Sequence, residues 1–458
     1  MKRKNISLLV VTVAIATVMG SCNIYKKCEL PQEGVVGEYV KAAAEPVDST
    51  ALGNLSWTEI FTDSQLQSLI NQALANNTNL QNAKLNVDIA QAQLLGAKLS
   101  YLPSLAFAPN GSGSEVGGAP LKWGYQLPLS LSWEVDIFGR ITNSKRKAKA
   151  ALLQSEAYRQ ATQSQIIGAV ANTYYAIVSL KQQLAIYRET SELWRQSVDV
   201  MKQMKEAGRY TEVAVVQSEA NYHSILATIP SIELSLHEMY NTMSLLLNVS
   251  PQEWDVNTAS VITLPATISE GVPMSYLAVR PDVKAAEQSF ATAFYATNMA
   301  RSAFYPSITL SANGGYGTLI GSSVIDPAKW FVSLAGQLVA PLFSRGQNIA
   351  TLKAAKAQQQ QALNNFQYTL LSAGSEVSNA LVAVTKRKAA HDEIKMQVEK
   401  MSKAVEYNKD LMALSTTTYL EVLTAQQSLL NCQISLINNE LSSNQAAINL
   451  YQALGGGR

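Results

Sequence analysis

The chain has 458 residues, of which 47% are apolar and only 7% aromatic, and its formal net charge is +2. This length suffices for two or three ordinary domains or for one elongated fold. The charges are nearly balanced and form no basic stripe interleaved with aromatic residues, which excludes a nucleic-acid-binding protein.

The N-terminus has the features of a targeting segment. Three basic residues precede a short apolar core over residues 6–19, which is too short to span a bilayer comfortably. The letters MGSC end this core and resemble a bacterial lipoprotein box, in which Cys22 is lipidated after cleavage. We therefore predict a signal peptide over residues 1–21 and a lipid-anchored, extended segment over residues 22–60. The alternative is an ordinary signal peptide with an incidental cysteine.

The remainder of the chain contains the same layout twice. The letters YLPS recur as FYPS 203 residues later, and YTEVAVVQ recurs as YLEVLTAQ 209 residues later. Internal repeats of this kind determine the fold and are sought first. We predict two structural repeats, residues 61–270 and 271–458, each with a helical stretch, two strands and a pair of long helices.

Two segments in each repeat alternate between apolar and polar residues, as a two-faced strand does. We predict strands over residues 102–107, 127–135, 307–316 and 330–338. Gly- and Ser-rich loops join the strands of each pair. The alternation is clearest in LPLSLSWEV, whose apolar residues are Leu127, Leu129, Leu131, Trp133 and Val135.

Long proline-free stretches predict the helices, because a proline inside a helix costs ~3 kcal/mol or more. No proline occurs between Pro128 and Pro230 or after Pro341. We predict long helices over residues 140–206, 211–248, 346–412 and 418–453. The two longest would each extend ~95 Å, and such helices normally pack against partners as coiled coils.

The alternating strands fit either a soluble sheet or a transmembrane barrel with lipid outside and water inside. The envelope-directed N-terminus, strands of ~10 residues and aromatic residues near the strand ends favour the barrel, with the apolar side chains of LPLSLSWEV facing lipid. A spanning sheet must be closed, and one chain supplies only four strands. Two copies would give eight strands and three copies twelve.

Three segments of this duplicated layout resemble the TolC-like outer-membrane efflux proteins. They are the junction WEVDIFGR, the turn GRYTEVAVVQSEA and the segment YLEVLTAQQSLL. The cysteine of the lipid box points to the lipoprotein branch of that family. The resemblance implies an α plus transmembrane β fold: a homotrimer whose 12-stranded barrel in outer-membrane lipid continues as an α-helical coiled-coil tunnel in the periplasm. It also implies a periplasmic adaptor and an inner-membrane pump as partners, with no catalytic activity or cofactor.

The same resemblance assigns the helix-to-helix turns to the periplasmic tip, where the adaptor would bind. The residues concerned are Gly208, Arg209, Glu212, Ser415 and Thr418. Just beyond the second turn the family places acidic residues that narrow the closed pore. Glu421 matches the first such position, and Thr424, which is not an acid, matches the next. We predict a ring of Glu421 side chains at the constriction; the alternative is a solvated acid favoured by the helix dipole.

The predicted function is the exit channel of a tripartite efflux system for drugs or other small molecules. The exit duct of a type I protein secretion system and a structural coiled-coil lipoprotein without a pore are the alternatives. No constellation typical of an enzyme is present, and His223 and His237 would lie roughly 21 Å apart along a helix, too far to share a metal. Cys28 and Cys432 are predicted to be unpaired.

Overall fold

The computed structural model describes residues 27–43, 55–115, 117–118, 120–262, 274–317, 330–414 and 418–457. The predicted signal peptide, the lipid anchor at Cys22 and the turn residue Ser415 lie outside these segments. Among the helices within them, none is both long enough and apolar enough to cross a membrane.

The N-terminal segment is partly helical. Helix α1 (Gly34–Ala43) buries one apolar side, and helix α2 (Trp57–Ile60) begins at a capping box formed by Ser56 and Glu59. In such a box each of the two side chains satisfies a backbone N–H group at the helix start. The prediction that residues 22–60 are extended is therefore wrong for both helices.

The remaining elements alternate as the repeat predicts. In chain order they are α3 (Ser64–Asn76), α4 (Thr78–Leu99), β1 (Ser104–Phe107), β2 (Asn110–Ser114), β3 (Lys122–Val135), α5 (Arg140–Glu206), α6 (Glu212–Leu246), a 3₁₀ helix (Met274–Val279), α7 (Pro281–Ser302), β4 (Ser307–Gly317), β5 (Trp330–Val339), α8 (Gln347–Ala413) and α9 (Tyr419–Ala453). The predicted long helices end within two residues of these bounds. Helices α5 and α8 have 67 residues each, about 100 Å of helix.

Corresponding helices of the two halves have equal lengths. Helices α4 and α7 have 22 residues each and begin 203 positions apart. The pairs α5 and α8, with 67 residues each, and α6 and α9, with 35 residues each, begin 207 positions apart. The four-residue difference therefore arises within the strands and their connections, while these three pairs of helices keep their lengths.

The five strands form one antiparallel sheet in the order β1-β3-β4-β5, and β2 also pairs with β3. The prediction of a loop at residues 110–114 is wrong, because β2 occupies it and β3 extends back to Lys122 to pair with it. Strands β1 and β2 share one register against β3 and are separated by Ala108 and Pro109. Pro109 and Pro128 have no N–H group to donate at this point of the ladder, which explains the interruption.

The chain forms two compact units, and each takes segments from both halves. The unit that contains the sheet comprises Met1–Gln32, Leu85–Glu156 and Lys284–Tyr368. The other comprises Glu33–Lys84, Ala157–Val283 and Thr369–Arg458. This second unit has one apolar core around Tyr174, Met243 and Tyr451 and another around Trp194 and Tyr419.

Candidate membrane-spanning sheet and pore tip

The register of the sheet places apolar and polar side chains on opposite faces. Side chains alternate along a strand, and residues directly opposite on a neighbouring strand share a face, so the alternation continues across the sheet. The apolar sheet face carries Leu105, Phe107, Leu127, Leu129, Leu131, Trp133, Val135, Ile308, Leu310, Tyr316, Trp330, Val332, Leu334 and Leu338. The polar sheet face carries Ser104, Ser130, Ser132, Glu134, Thr309, Ser311, Asn313, Ser333 and Gln337.

The apolar sheet face is open in the protomer. Leu334 is 79% exposed, Leu338 64% and Phe107 62%. A contiguous apolar surface formed by four strands marks an interaction site rather than ordinary protein surface. The five residues predicted to face lipid all lie on it, so the structure brings them together with partners from the other half of the chain.

Aromatic side chains flank the apolar sheet face at both ends. Tyr316 and Trp330 lie at the end where β4 and β5 meet their connection, and Trp123 lies near the start of β3. At the opposite end, the indole N–H of Trp133 donates to the carbonyl oxygen of Tyr101 at 2.9 Å. The ten positions from Trp123 to Trp133 extend about 33 Å along the strand, or about 25 Å along the membrane normal at the usual barrel tilt. That height matches the apolar band of an outer-membrane barrel.

Asp136 makes the transition from strand β3 to helix α5. Its carboxylate accepts hydrogen bonds from the backbone N–H groups of Ile141 at 2.9 Å and Thr142 at 2.7 Å. Free N–H groups at a helix start attract an acceptor, and a negative charge there is stabilised by the helix dipole. Arg140 pairs with Glu134 across the same junction. These contacts fix where the sheet ends and the long helix begins.

The first helix-to-helix turn is a regular helix ending. The N–H of Gly208 donates to the carbonyl of Lys205, and that of Arg209 donates to the carbonyl of Met204, both at 2.9 Å. Gly208 has φ +73°, the left-handed conformation that such an ending requires and that glycine adopts without strain. Glu212 is the first residue of α6 and pairs with Lys205 across the turn.

The structure describes the second turn only up to Leu414 and again from Thr418 onwards. Thr418 precedes the first residue of α9, which makes Glu421 the third residue of that helix. Glu421 and Thr424 are both exposed and lie on one side of the helix, because residues three apart are neighbours there. Glu421 is therefore placed as either alternative requires, in the first helical turn and on an open surface.

Uncharged polar side chains follow one side of α6 and one side of α9, spaced alternately by four and three residues. The stripe on α6 consists of Gln217, Asn221, Ser224, Thr228, Ser231 and Ser235. The stripe on α9 consists of Thr424, Ser428, Asn431, Ser435, Asn438 and Ser442. The members are exposed or half-buried and correspond one to one at the offset of 207 positions. Sequence reasoning missed both stripes because it aligned the two turns at an offset of 209.

One position nearer the turn, the two stripes differ. At the offset of 207, Ala214 on α6 corresponds to Glu421 on α9. The recurrence of YTEV as YLEV would align Glu212 with Glu421 instead, but the two helices begin two residues apart relative to those letters. The stripe on α9 therefore ends in a carboxylate, whereas the stripe on α6 ends in a methyl group.

Charged and aromatic contacts hold the helices near these turns. Lys202 binds Glu219 at 2.8 Å, and this hydrogen bond lowers the pKa of the Glu219 carboxyl and raises the pKa of Lys202. The ring of Tyr419 packs edge-on against Tyr210 with centroids 6.3 Å apart, and burial raises the pKa of the Tyr419 hydroxyl. The Lys202–Glu219 ion pair is exposed and electrostatic, whereas Tyr419 belongs to an apolar core.

No group of three or more metal-binding side chains occurs in the part of the chain that the structure describes. The thiols of Cys28 and Cys432 are both free, and Cys432 is buried.

A sequence model of the family described as "Outer membrane efflux protein" matches residues 69–249 and 272–456. The probable efflux pump outer membrane protein TtgC of Pseudomonas putida is 27% identical over 98% of this chain and 96% of its own length. The probable outer membrane lipoprotein SilC of Salmonella typhimurium is 29% identical over 88% of each chain.

Solved structures of similar proteins share the fold. Crystal structures of CusC superpose with a TM-score of 0.81 at 26% identity, covering 94% of this chain and 98% of that chain. The open state of the Neisseria gonorrhoeae MtrE outer membrane channel superposes with a TM-score of 0.83 at 25% identity, covering 94% and 97%.

Proposed function

This chain belongs to the outer membrane efflux protein family, and we propose that three copies of it form a continuous exit duct. In this proposal the apolar sheet face contacts outer-membrane lipid and the polar sheet face surrounds water. The long helices continue the duct into the periplasm as a coiled-coil tunnel. The single observation that carries the proposal is the two-faced sheet, whose apolar face is exposed.

Closure of the sheet is what requires several copies. In the protomer, the outer edges of the sheet are β5 on one side and the interrupted line of β1 and β2 on the other. Backbone groups at an open edge cannot be left unpaired in lipid, so the edge of one copy would pair with the edge of the next. Because β1 and β2 lie in line and count as one strand of the barrel, two copies would form a barrel of eight strands and three copies a barrel of twelve. The family resemblance favours three.

The membrane anchor adds a second attachment. The protein is located in the outer membrane, as its family indicates, and we propose that a lipid on Cys22 fixes its N-terminus to the periplasmic leaflet. The relative SilC is itself described as an outer membrane lipoprotein. This anchor would add to the attachment that the barrel itself provides.

The helix turns supply the proposed docking site for a periplasmic adaptor, which would link the duct to an inner-membrane pump. Gly208, Arg209, Glu212 and Thr418 would form this tip, together with Ser415, which lies outside the described residues. Relatives are described as components of efflux pumps, and their stated cargoes include toluene and cations. We propose drugs or other small molecules as cargo, and the protein itself would supply no energy or catalysis.

Glu421 is the proposed constriction residue, with Thr424 next to it on the pore side. Three copies would bring three carboxylates together at the end of the polar stripe on α9. A ring of like charges selects ions of opposite sign, and carboxylates brought close together raise one another's pKa. The alternative role, a solvated acid at the helix start, would leave ion selection unchanged when the charge is removed.

Two measurements test the function. The purified protein, inserted into planar lipid bilayers, should give discrete conductance steps; absence of conductance together with a stable, non-barrel protein would favour the structural lipoprotein. A deletion strain should become more sensitive to dyes, detergents or antibiotics. Conductance with unchanged sensitivity, and with loss of a secreted protein from the medium, would favour the exit duct of a type I secretion system.

A further inference from the structure

A cavity of about 410 Å³ lies within the unit that contains the sheet, beside the first turns of α5. The N-terminal segment, α5 and α7 line it together. Lys27, Arg146 and Lys149 provide three positive charges, and Glu287 provides the one negative charge among its lining residues. The rest of the lining includes apolar side chains, among them Leu153 and Phe290. The cavity is therefore both cationic and apolar.

The positive charge at this place works against the stability of the helix. The first ten residues of α5 contain five basic side chains and no acidic one. Like charges three or four residues apart on a helix repel one another, as Arg146 and Lys149 do. Two of the five have neighbours that account for them: Arg140 pairs with Glu134, and Lys145 lies over the ring of Tyr101 at 5.5 Å. Lys147 is exposed, whereas Arg146 and Lys149 line the cavity, where a bound anion would offset their repulsion.

The position of the cavity indicates which anion. Arg146 and Lys149 lie six and nine residues beyond the first residue of α5, about 9–14 Å along the helix. Headgroups occupy roughly 5–7 Å on each side of the hydrocarbon, and long basic side chains extend towards them along apolar surface. Cys22 lies five residues before Lys27, so the proposed lipid anchor is at most about 18 Å away. If the sheet spans the membrane, the long basic side chains of the cavity thus extend to the headgroup layer.

The one cysteine in the cavity does not suggest a different ligand. Burial and the neighbouring Glu287 raise the pKa of the Cys28 thiol to about 11. A thiol of this kind stays protonated at neutral pH, and only the thiolate is a nucleophile or metal ligand. The cationic and apolar parts of the lining remain as the features that select a ligand.

We propose that this cavity binds an anionic phospholipid of the periplasmic leaflet. The guanidinium of Arg146 and the ammonium of Lys149 would hold the phosphate, as these groups do in charge-assisted pairs. The upper part of an acyl chain would lie against Leu153 and Phe290. The inference rests on the proposed membrane position of the sheet, and it adds a specific lipid contact beside the N-terminal segment.

The test uses the full-length lipidated oligomer in detergent and counts bound lipids by native mass spectrometry. The variant is R146Q/K149Q. The second half of the chain offers a matched control, K353Q/K356Q, because Lys353 and Lys356 occupy the same positions of α8 at the offset of 207 and do not line this cavity. The probes are phosphatidylglycerol, phosphatidylethanolamine and inorganic phosphate.

We expect wild-type protein and K353Q/K356Q to bind phosphatidylglycerol alike and more tightly than phosphatidylethanolamine. In R146Q/K149Q, phosphatidylglycerol binding should weaken about thirty-fold. Equal binding by all three proteins, or equal losses in both variants, would overturn the site. Displacement of the lipid by millimolar phosphate would show a free-anion site instead. Bilayer conductance of the same preparations separates the two proposals, since wild-type protein without conductance contradicts the exit duct and not the lipid site.

Discussion

The two halves of the chain share one framework but differ in chemistry at two places. Their corresponding helices have 22, 67 and 35 residues in both halves. In the sheet, the first half has an edge interrupted at Pro109, whereas β4 and β5 pair without interruption. Near the turns, the polar stripe ends at Ala214 in the first half and at Glu421 in the second.

In the proposed tunnel, the lengths of the helices are constrained and the identities of single side chains are not. Two helix pairs that must reach the same depth need equal lengths, since one extra residue lengthens a helix by about 1.5 Å. Single side chains carry no such constraint. In the proposed trimer six helix pairs would form a nearly sixfold wall, while Glu421 would contribute only three charges at its end.

The largest effect is expected from a charge on the apolar sheet face. Leu129→Arg in the first half and Leu334→Arg in the second should each impair insertion, because Arg near the membrane midplane costs ~2–4 kcal/mol per chain. The measurement is the amount of heat-modifiable oligomer in outer-membrane fractions. Ser130→Arg and Ser333→Arg, on the polar sheet face, are the controls and should assemble. If Leu334→Arg assembled like its control, the two halves would not share one lipid-facing surface.

A smaller loss of stability is expected where the halves meet in the sheet. Gly315 lies opposite Pro128, and a Cβ atom on it would be 2.1 Å from the carbonyl oxygen of Leu127. Gly315→Ala should therefore displace β3 from β4, with overpacking costs of typically 1–3 kcal/mol. Gly314→Ala is the control, since its nearest neighbour would be at 3.5 Å. The midpoint of heat dissociation of the oligomer measures both, and an unshifted midpoint in Gly315→Ala would contradict the register.

A change in selectivity without a change in stability is expected at the pore tip. Glu421→Gln should reduce the preference of the channel for cations in planar bilayers, because it removes the proposed ring of charge. Glu212→Gln should leave that preference unchanged. Ala214→Glu would place a matching acid in the first half and should strengthen it. Unchanged selectivity in Glu421→Gln would support the helix-dipole alternative for this residue.

The sequence predicted the long helices well and the sheet less well, for physical reasons. Helix bounds follow from proline gaps and from residues near the ends, such as Gly208, so they are local properties. The strand β2 depends on pairing with a partner, and its letters NGSGS carry no apolar alternation. Nothing in such a segment distinguishes a loop from an edge strand until β3 is in place.

The sequence predicted which residues of the sheet share a face, but not how the residues near the two helix turns correspond. The apolar residues of LPLSLSWEV share one face as predicted, and the family resemblance is confirmed by the match over both halves. The correspondence between Ala214 and Glu421 was missed because the two turns were aligned by their shared letters and not by the first residues of α6 and α9. The cavity near Arg146 brings together three separate segments of the chain, which no local pattern reports.

The smallest effect is expected from the exposed ion pair near the first turn. The Lys202 ammonium lowers the pKa of Glu219, so the pair stabilises the fold above the ordinary carboxyl range and loses this contribution as the pH falls through the lowered pKa. Exposed pairs are screened by salt and contribute little. Glu219→Gln should therefore leave the midpoint of heat dissociation unchanged at physiological salt. The measurement is made at roughly pH 6 to 8, where the wild-type carboxyl is ionised. A fall of the midpoint by more than about 5 °C would mean that this ion pair contributes substantially to the stability of the first turn. The difference between the two halves would then lie in stability as well as in pore charge.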